Sequence, residues 1–146
     1  MCDHLAGLGL QVLTNSLHIV NALLGQTGTQ IFVPSGMVFR EQNIILAPGG
    51  EACMPEFHAS KLFIGAAAVG PRGILQADAV LVASQRRLLE RADEVILLVD
   101  ASKLAASSSG AIVCGLDEVD VLVTDAGVGE DTKAMLERAG VRVIVA

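Results

Sequence analysis

The stretch LLVDASKL, Leu97 to Leu104, passes from an aliphatic run into an acid, a hydroxyl and a lysine within four residues. A chain that needed only a turn there could use glycine or asparagine. Other apolar runs end in a similar way. QVLT runs into Asn15 and Ser16, QIFVP into Ser35, Gly36 and then Arg40, and DVLVT into Asp125. Backbone N–H groups at a helix start, a serine hydroxyl and a lysine ammonium together suit an anion. Each position also has a plainer reading. Asn15 or Ser16 can simply cap a helix, Asp100 can be a cap or loop residue, and Arg40 and Lys103 can be solvated.

These residues need elements to hold them. The chain alternates short aliphatic runs with helical segments. Strands are predicted at Gln11–Thr14, Gln30–Pro34, Asn43–Leu46, Lys61–Ala66, Glu94–Asp100, Ala111–Gly115, Asp120–Asp125 and Val141–Ala146. Helices are predicted over Ser16–Leu24, Glu51–Ala59, Asp78–Arg91 and Glu130–Ala139, with a turn at GPRG and Gly140 as a helix stop. Pro55 weakens the second of these helices. Strands alternating with helices imply βαβ units and a mainly parallel sheet flanked by helices, an α/β fold. In such a sheet ligands sit outside the carboxyl ends of the strands, where the residues above collect.

Composition narrows the classes. The 146 residues are 52% hydrophobic and 18% charged, without Trp or Tyr, so small and branched aliphatics fill the core. A single domain of residues 1–146 is expected from that length. The net charge of −6 argues against a nucleic-acid surface. No apolar run is long enough to span a membrane and the amino terminus lacks a signal pattern, so a cytoplasmic protein is expected. Cys2, Cys53 and Cys114 are odd in number and far apart, which suggests neither a disulfide framework nor a zinc site. GLG at Gly7–Gly9 precedes a strand, and in TDAGVGEDT the third glycine position holds Thr132 beside two acids; neither is a nucleotide loop. Arg86 and Glu90 form a helical i,i+4 pair on a solvated face. His18 fits a surface or capping role. His4 and His58 have no acid or nucleophile at catalytic spacing, so neither a hydrolytic nor a metal mechanism is expected.

VLTNSLHIVNAL, PSGMVFR, HASKLFIGAAAVGPRGI, EVILLVDASKL and VCGLDEVDVLVTDAG, in this order, cover nearly the whole chain. Together they resemble the effector-sensing domain of the deoxyribose-operon-repressor (DeoR) family of transcription regulators. TNSLHIVNAL and VCGLDEVDVLVTDAG are similar in particular to the glucitol operon repressors. The resemblance implies a sugar-phosphate-isomerase-like fold, of the ribose-5-phosphate isomerase, glucosamine-phosphate deaminase and CoA-transferase type. It also implies a phosphorylated sugar or polyol as effector and no other cofactor.

By position, Thr14, Asn15 and Ser16 match the family's TN(S) strand end. Ser35, Gly36 and Arg40 match its paired glycines and following arginine, with serine for the first glycine. Asp100, Ser102 and Lys103 match its DSSK motif, with Ala101 for one serine. Asp78, at the next helix start, completes the ligand set. The family's GADG reads here as Gly65 to Ala68, and its helix Glu and Lys fall at Ala79 and Gln85. A homo-oligomer is expected. The family's winged helix-turn-helix and phosphate loop precede the strand that here begins at Gln11, so an N-terminally truncated chain is expected, with DNA bound only through that separate domain. Two rivals stand beside this sensor: a ligand-blind oligomerisation module and a sugar-phosphate isomerase, for which Asp78 and Asp100 would be the candidate bases.

Overall fold

The computed structural model describes residues 1–47, 53–105 and 110–146. The chain divides into two compact units, Met1–Phe57 and His58–Ala146.

In the first unit, strands β1 (Gln11–Leu13) and β2 (Gln30–Phe32) pair in parallel across helix α1 (Leu17–Leu23). Strands β3 (Met37–Phe39) and β4 (Ile44–Leu46) form an antiparallel hairpin. Leu23 is fully buried, and the Phe32 and Phe57 rings stack obliquely with centroids 5.2 Å apart. Gly36 enters the hairpin where a Cβ would lie 1.9 Å from the Leu46 carbonyl oxygen, so only glycine fits. The helix expected over Glu51–Ala59 does not form in its described part: residues 53–58 make short turns and Ala59 already opens a strand. Pro55 has no N–H to give a helix and clashes with its preceding turn. Residues 51 and 52 of that expectation lie outside the described residues.

The second unit is built on a parallel sheet. Strands β5 (Ala59–Ile64), β8 (Ala92–Leu98), β10 (Val121–Thr124) and β11 (Arg142–Val145) lie in the order β11-β10-β8-β5. Helices α2 (Ala79–Leu89), α3 (Ala101–Ala105) and α4 (Glu130–Arg138) connect the elements. The α/β architecture with a parallel sheet and flanking helices is therefore present. A second sheet is antiparallel: β6 (Ala68–Gly70), β7 (Gly73–Gln76) and β9 (Ala111–Cys114). GPRG is the tip of the β6–β7 hairpin, where Gly73 has φ +115° and a Cβ would meet the Cys114 carbonyl oxygen at 1.9 Å. The core joins one face of the parallel sheet (Ile64, Val95, Leu97, Leu122) to Val69, Ile74 and Val113 of the second sheet and to Leu136 of α4. Val82 and Leu89 of α2 pack on the same cluster.

β9 departs from a regular ladder. Ile74 pairs with Cys114 but Leu75 with Ile112, so Val113 is an extra residue on that strand. Arg86 fills the gap: its Nε donates to the Val113 carbonyl at 2.8 Å and its guanidinium to that of Ile112 at 3.4 Å. The expected Arg86–Glu90 ion pair is thus replaced by a tie from α2 to β9. A bulged carbonyl that needs a donor outcompetes a solvated carboxylate.

Candidate functional site

The carboxyl ends of β8 and β10 meet at the start of α3. β8 delivers Asp100, whose Oδ1 accepts the Ser102 N–H at 2.9 Å and also the Ser102 hydroxyl. β10 delivers Asp125, whose Oδ2 accepts the Ala101 N–H at 2.9 Å and whose Oδ1 accepts the Gly127 N–H at 2.8 Å. The opening amides of α3 are therefore held by two carboxylates of the chain itself. Donors directed at charged oxygens favour the ionised form. The Ser102 hydroxyl, and after it the Ser102 amide and Lys103, lower the Asp100 pKa; the Ala101 and Gly127 amides lower that of Asp125.

Lys103 lies half-buried one residue on. Its N–H donates to the Asp100 carbonyl at 3.0 Å, and its ammonium has no hydrogen bond or ion pair among the described residues. Thr124, just before Asp125, is buried with a hydroxyl that has no partner among the described residues. At the end of β5 the Gly65 carbonyl accepts amide donors from both Gln76 and Gln85, each at 3.2 Å. Asp78 caps α2, accepting the Val80 N–H at 2.9 Å. The second unit thus joins Asp100 and Ser102 directly, keeps Lys103 adjacent, and adds Asp125. A strand-end census finds Asp125, but only the fold shows that it clamps the DASK turn.

The first unit gathers its own polar set. The Thr14 hydroxyl, on a buried side chain, accepts the Ser16 N–H at 3.1 Å, and Ser16 caps α1 by accepting the Ile19 N–H at 3.4 Å. The Asn15 carbonyl accepts from Ile45 at 2.8 Å and that of Asn43 accepts from Leu17 at 2.9 Å, so the TNS turn is stitched to β4. Asn43 Nδ2 donates to His18 Nε2 at 3.0 Å, which gives His18 a surface bridging role. Arg40 is exposed in the β3–β4 turn, closed by the Asn43 N–H to its carbonyl at 3.3 Å. Ser35 donates its N–H to Cys53 at 2.8 Å at the other end of the hairpin, next to Gly36. Thr14, Asn15 and Ser16 are therefore brought together beside β4, while Ser35 and Gly36 stand at the opposite end of β3 from Arg40.

Among the described residues no three His, Cys, Asp or Glu side chains stand close enough to share a metal ion. No described helix is long and apolar enough to cross a membrane.

A family model described as the DeoR C-terminal sensor domain matches residues 1–126. The chain belongs to this family. The sensor domain is similar to the HTH-type transcriptional repressor GlcR of Bacillus subtilis (strain 168), 28% identical over 142 residues that make up 97% of this chain and 55% of that protein. The HTH-type transcriptional regulator UlaR of Shigella dysenteriae is 25% identical over 143 residues, 97% of this chain and 56% of its own. A protein of Escherichia coli O157:H7 named for transcriptional repression of the aga operon is 28% identical over 134 residues, 91% of this chain and 49% of its own. The sensor domain thus spans about half the length of the curated relatives it matches.

Proposed function

We propose that this chain senses a phosphorylated sugar or polyol for a DeoR-type repressor of sugar or polyol utilisation, without turning its ligand over. The observation that carries the reading is the α3 start, where Asp100, Ser102, Lys103 and Asp125 converge. Because Asp100 and Asp125 occupy the α3 amides, the edge offers ionised oxygens to ligand hydroxyls and the Lys103 ammonium to a phosphate. That division suits a phosphorylated polyol, glucitol phosphate among them. Asp78, and in the first unit Thr14, Asn15, Ser16, Ser35, Gly36 and Arg40, are proposed as ligand contacts to be tested one by one. Binding would act by population shift, through contacts that differ between two arrangements of the whole regulator. Relatives named as repressors and regulators support a regulatory role over an isomerase.

The test is a thermal melt against sugar and polyol phosphates, with unphosphorylated partners as controls. A ligand at about 100 times its Kd adds about 2.7 kcal/mol, a rise of roughly several degrees for a domain of this size. The rise is expected for phosphorylated compounds alone and is expected to vanish in Lys103→Ala. No shift across the panel would establish the rival, a ligand-blind module. That rival is favoured by the α3 amides being already occupied and by the alanines that follow β5, Ala66 and Ala67, with Ala68 opening β6.

A further inference from the structure

Among the described residues two polar side chains are buried, Thr14 just past β1 and Thr124 at the end of β10. The Thr14 hydroxyl accepts the Ser16 N–H at 3.1 Å. That of Thr124 is covered and has no partner among the described residues. Thr124 is 4% exposed and, two residues beyond Leu122, its side chain lies on the core face of the sheet. Its neighbours in the row are apolar. Val145 stands opposite it on β11, and on the other side the ladder runs on to Val99, whose N–H donates to the Val123 carbonyl at 3.1 Å. Valine has the shape of threonine, and in the run VLVT it would fill this place with no polar atom to leave unpaired. Packing therefore does not account for the hydroxyl.

Its position does. Thr124 comes immediately before Asp125, whose carboxylate holds the Ala101 and Gly127 amides, and its neighbour Val99 comes immediately before Asp100. It stands at the root of both turns that carry Asp100, Ser102, Lys103 and Asp125, on the edge of an α/β sheet where ligands sit. Of the polar groups there, the two carboxylates only accept, the Lys103 ammonium only donates, and the Ser102 hydroxyl is engaged by Asp100. The Thr124 hydroxyl can do both. We propose that it reads a hydroxyl on the carbon chain of the effector while Lys103 takes the phosphate, an inference that rests on the sensing function proposed above. The oxygen is covered in this structure, so the contact belongs to the ligand-bound arrangement. An unpaired hydroxyl disfavours the free arrangement and a paired one favours the bound, which is the difference in contacts that a population shift needs.

The test is Thr124→Val, with Thr124→Ser beside it, read by thermal melts without ligand and by calorimetric titration with glucitol phosphate, the other phosphorylated compounds of the panel, and inorganic phosphate alone. Without ligand the valine variant is expected to melt at or above the native chain, since no bond is lost. Its affinity for the phosphorylated polyol or sugar is expected to fall about tenfold, the equivalent of one hydrogen bond, with that for inorganic phosphate unchanged. Serine is expected to keep most of the affinity. A valine variant that melts lower without ligand overturns the proposal, because the hydroxyl then has a structural partner such as a buried water. Equal binding of the effector by the native and valine chains overturns it while the sensing reading stands. A matching loss toward inorganic phosphate overturns it as well, making Thr124 a phosphate contact. A native chain that binds no compound of the panel overturns the sensing reading and this inference with it.

Discussion

Asp125 joins the ends of two strands through a single carboxylate, one oxygen on Ala101 and the other on Gly127. Its pKa, like that of Asp100, is lowered in the fold. A depressed carboxylate stabilises above its unfolded pKa of about 3.9 and loses that contribution as pH falls through the folded value. Melting temperatures are therefore expected to hold from neutral pH to about 5 and to fall below about 4. Asp125→Asn should melt lower at neutral pH and fall less in acid; an unchanged acid profile would remove the clamp from the account. Cys114 titrates the other way. Burial, then Glu118 and Asp117, push its thiol from 9.0 to about 11. Its contribution is complete below the unfolded value and is lost as pH rises from about 9 toward 11. Cys114→Ala should flatten that alkaline loss, and in the native chain a thiol reagent should reach half-buried Cys2 and Cys53 before Cys114. At this scale the sequence placed the polar residues at strand ends but not their partners. Ser102 reads as a ligand hydroxyl until the fold shows it on Asp100, and Ser16 reads equally as cap or contact until it is seen capping α1.

Among the elements, β9 depends on a side chain from α2. Arg86→Met keeps the aliphatic stem and leaves the Val113 carbonyl without its donor, at a cost of about 1–3 kcal/mol. The denaturant midpoint should fall with the slope unchanged, and Arg86→Lys should recover only part, since an ammonium lacks the fork that reaches both carbonyls. Gly36→Ala is expected to unfold the β3–β4 hairpin, because the new methyl meets backbone that cannot turn away; circular dichroism and proteolysis within Met1–Phe57 would register it. The long aliphatic strands were legible because apolar runs bounded by turn residues survive in any packing. The β6–β7 hairpin was not, because GAAAVGPRG lacks the branched residues that advertise a strand. The bulge was invisible as well, since it follows from pairing between distant strands rather than from local spacing. Arg86 consequently read as half of a local ion pair.

For the whole molecule, the parallel sheet and the DeoR resemblance were both readable, the first from alternation of strand and helix, the second from ordered motifs. The match over residues 1–126 confirms the family. Which strand residues face the core cluster was not readable. EVILLVD is apolar on both faces, the pattern of a strand buried on both sides, and nothing local distinguishes the residues that meet α2 and α4 from those that do not. The Gly65 carbonyl adds a consequence for motion. It is shared by Gln76 from β7 and Gln85 from α2, so the end of β5 is fastened to an element of the second sheet and to a helix at one atom. Neither can lift away without stripping that carbonyl of a donor. Amide hydrogens of β7 and α2 should therefore exchange with deuterium at a common rate set by one shared opening, and Gln85→Ala should divide that rate in two, with α2 exchanging first.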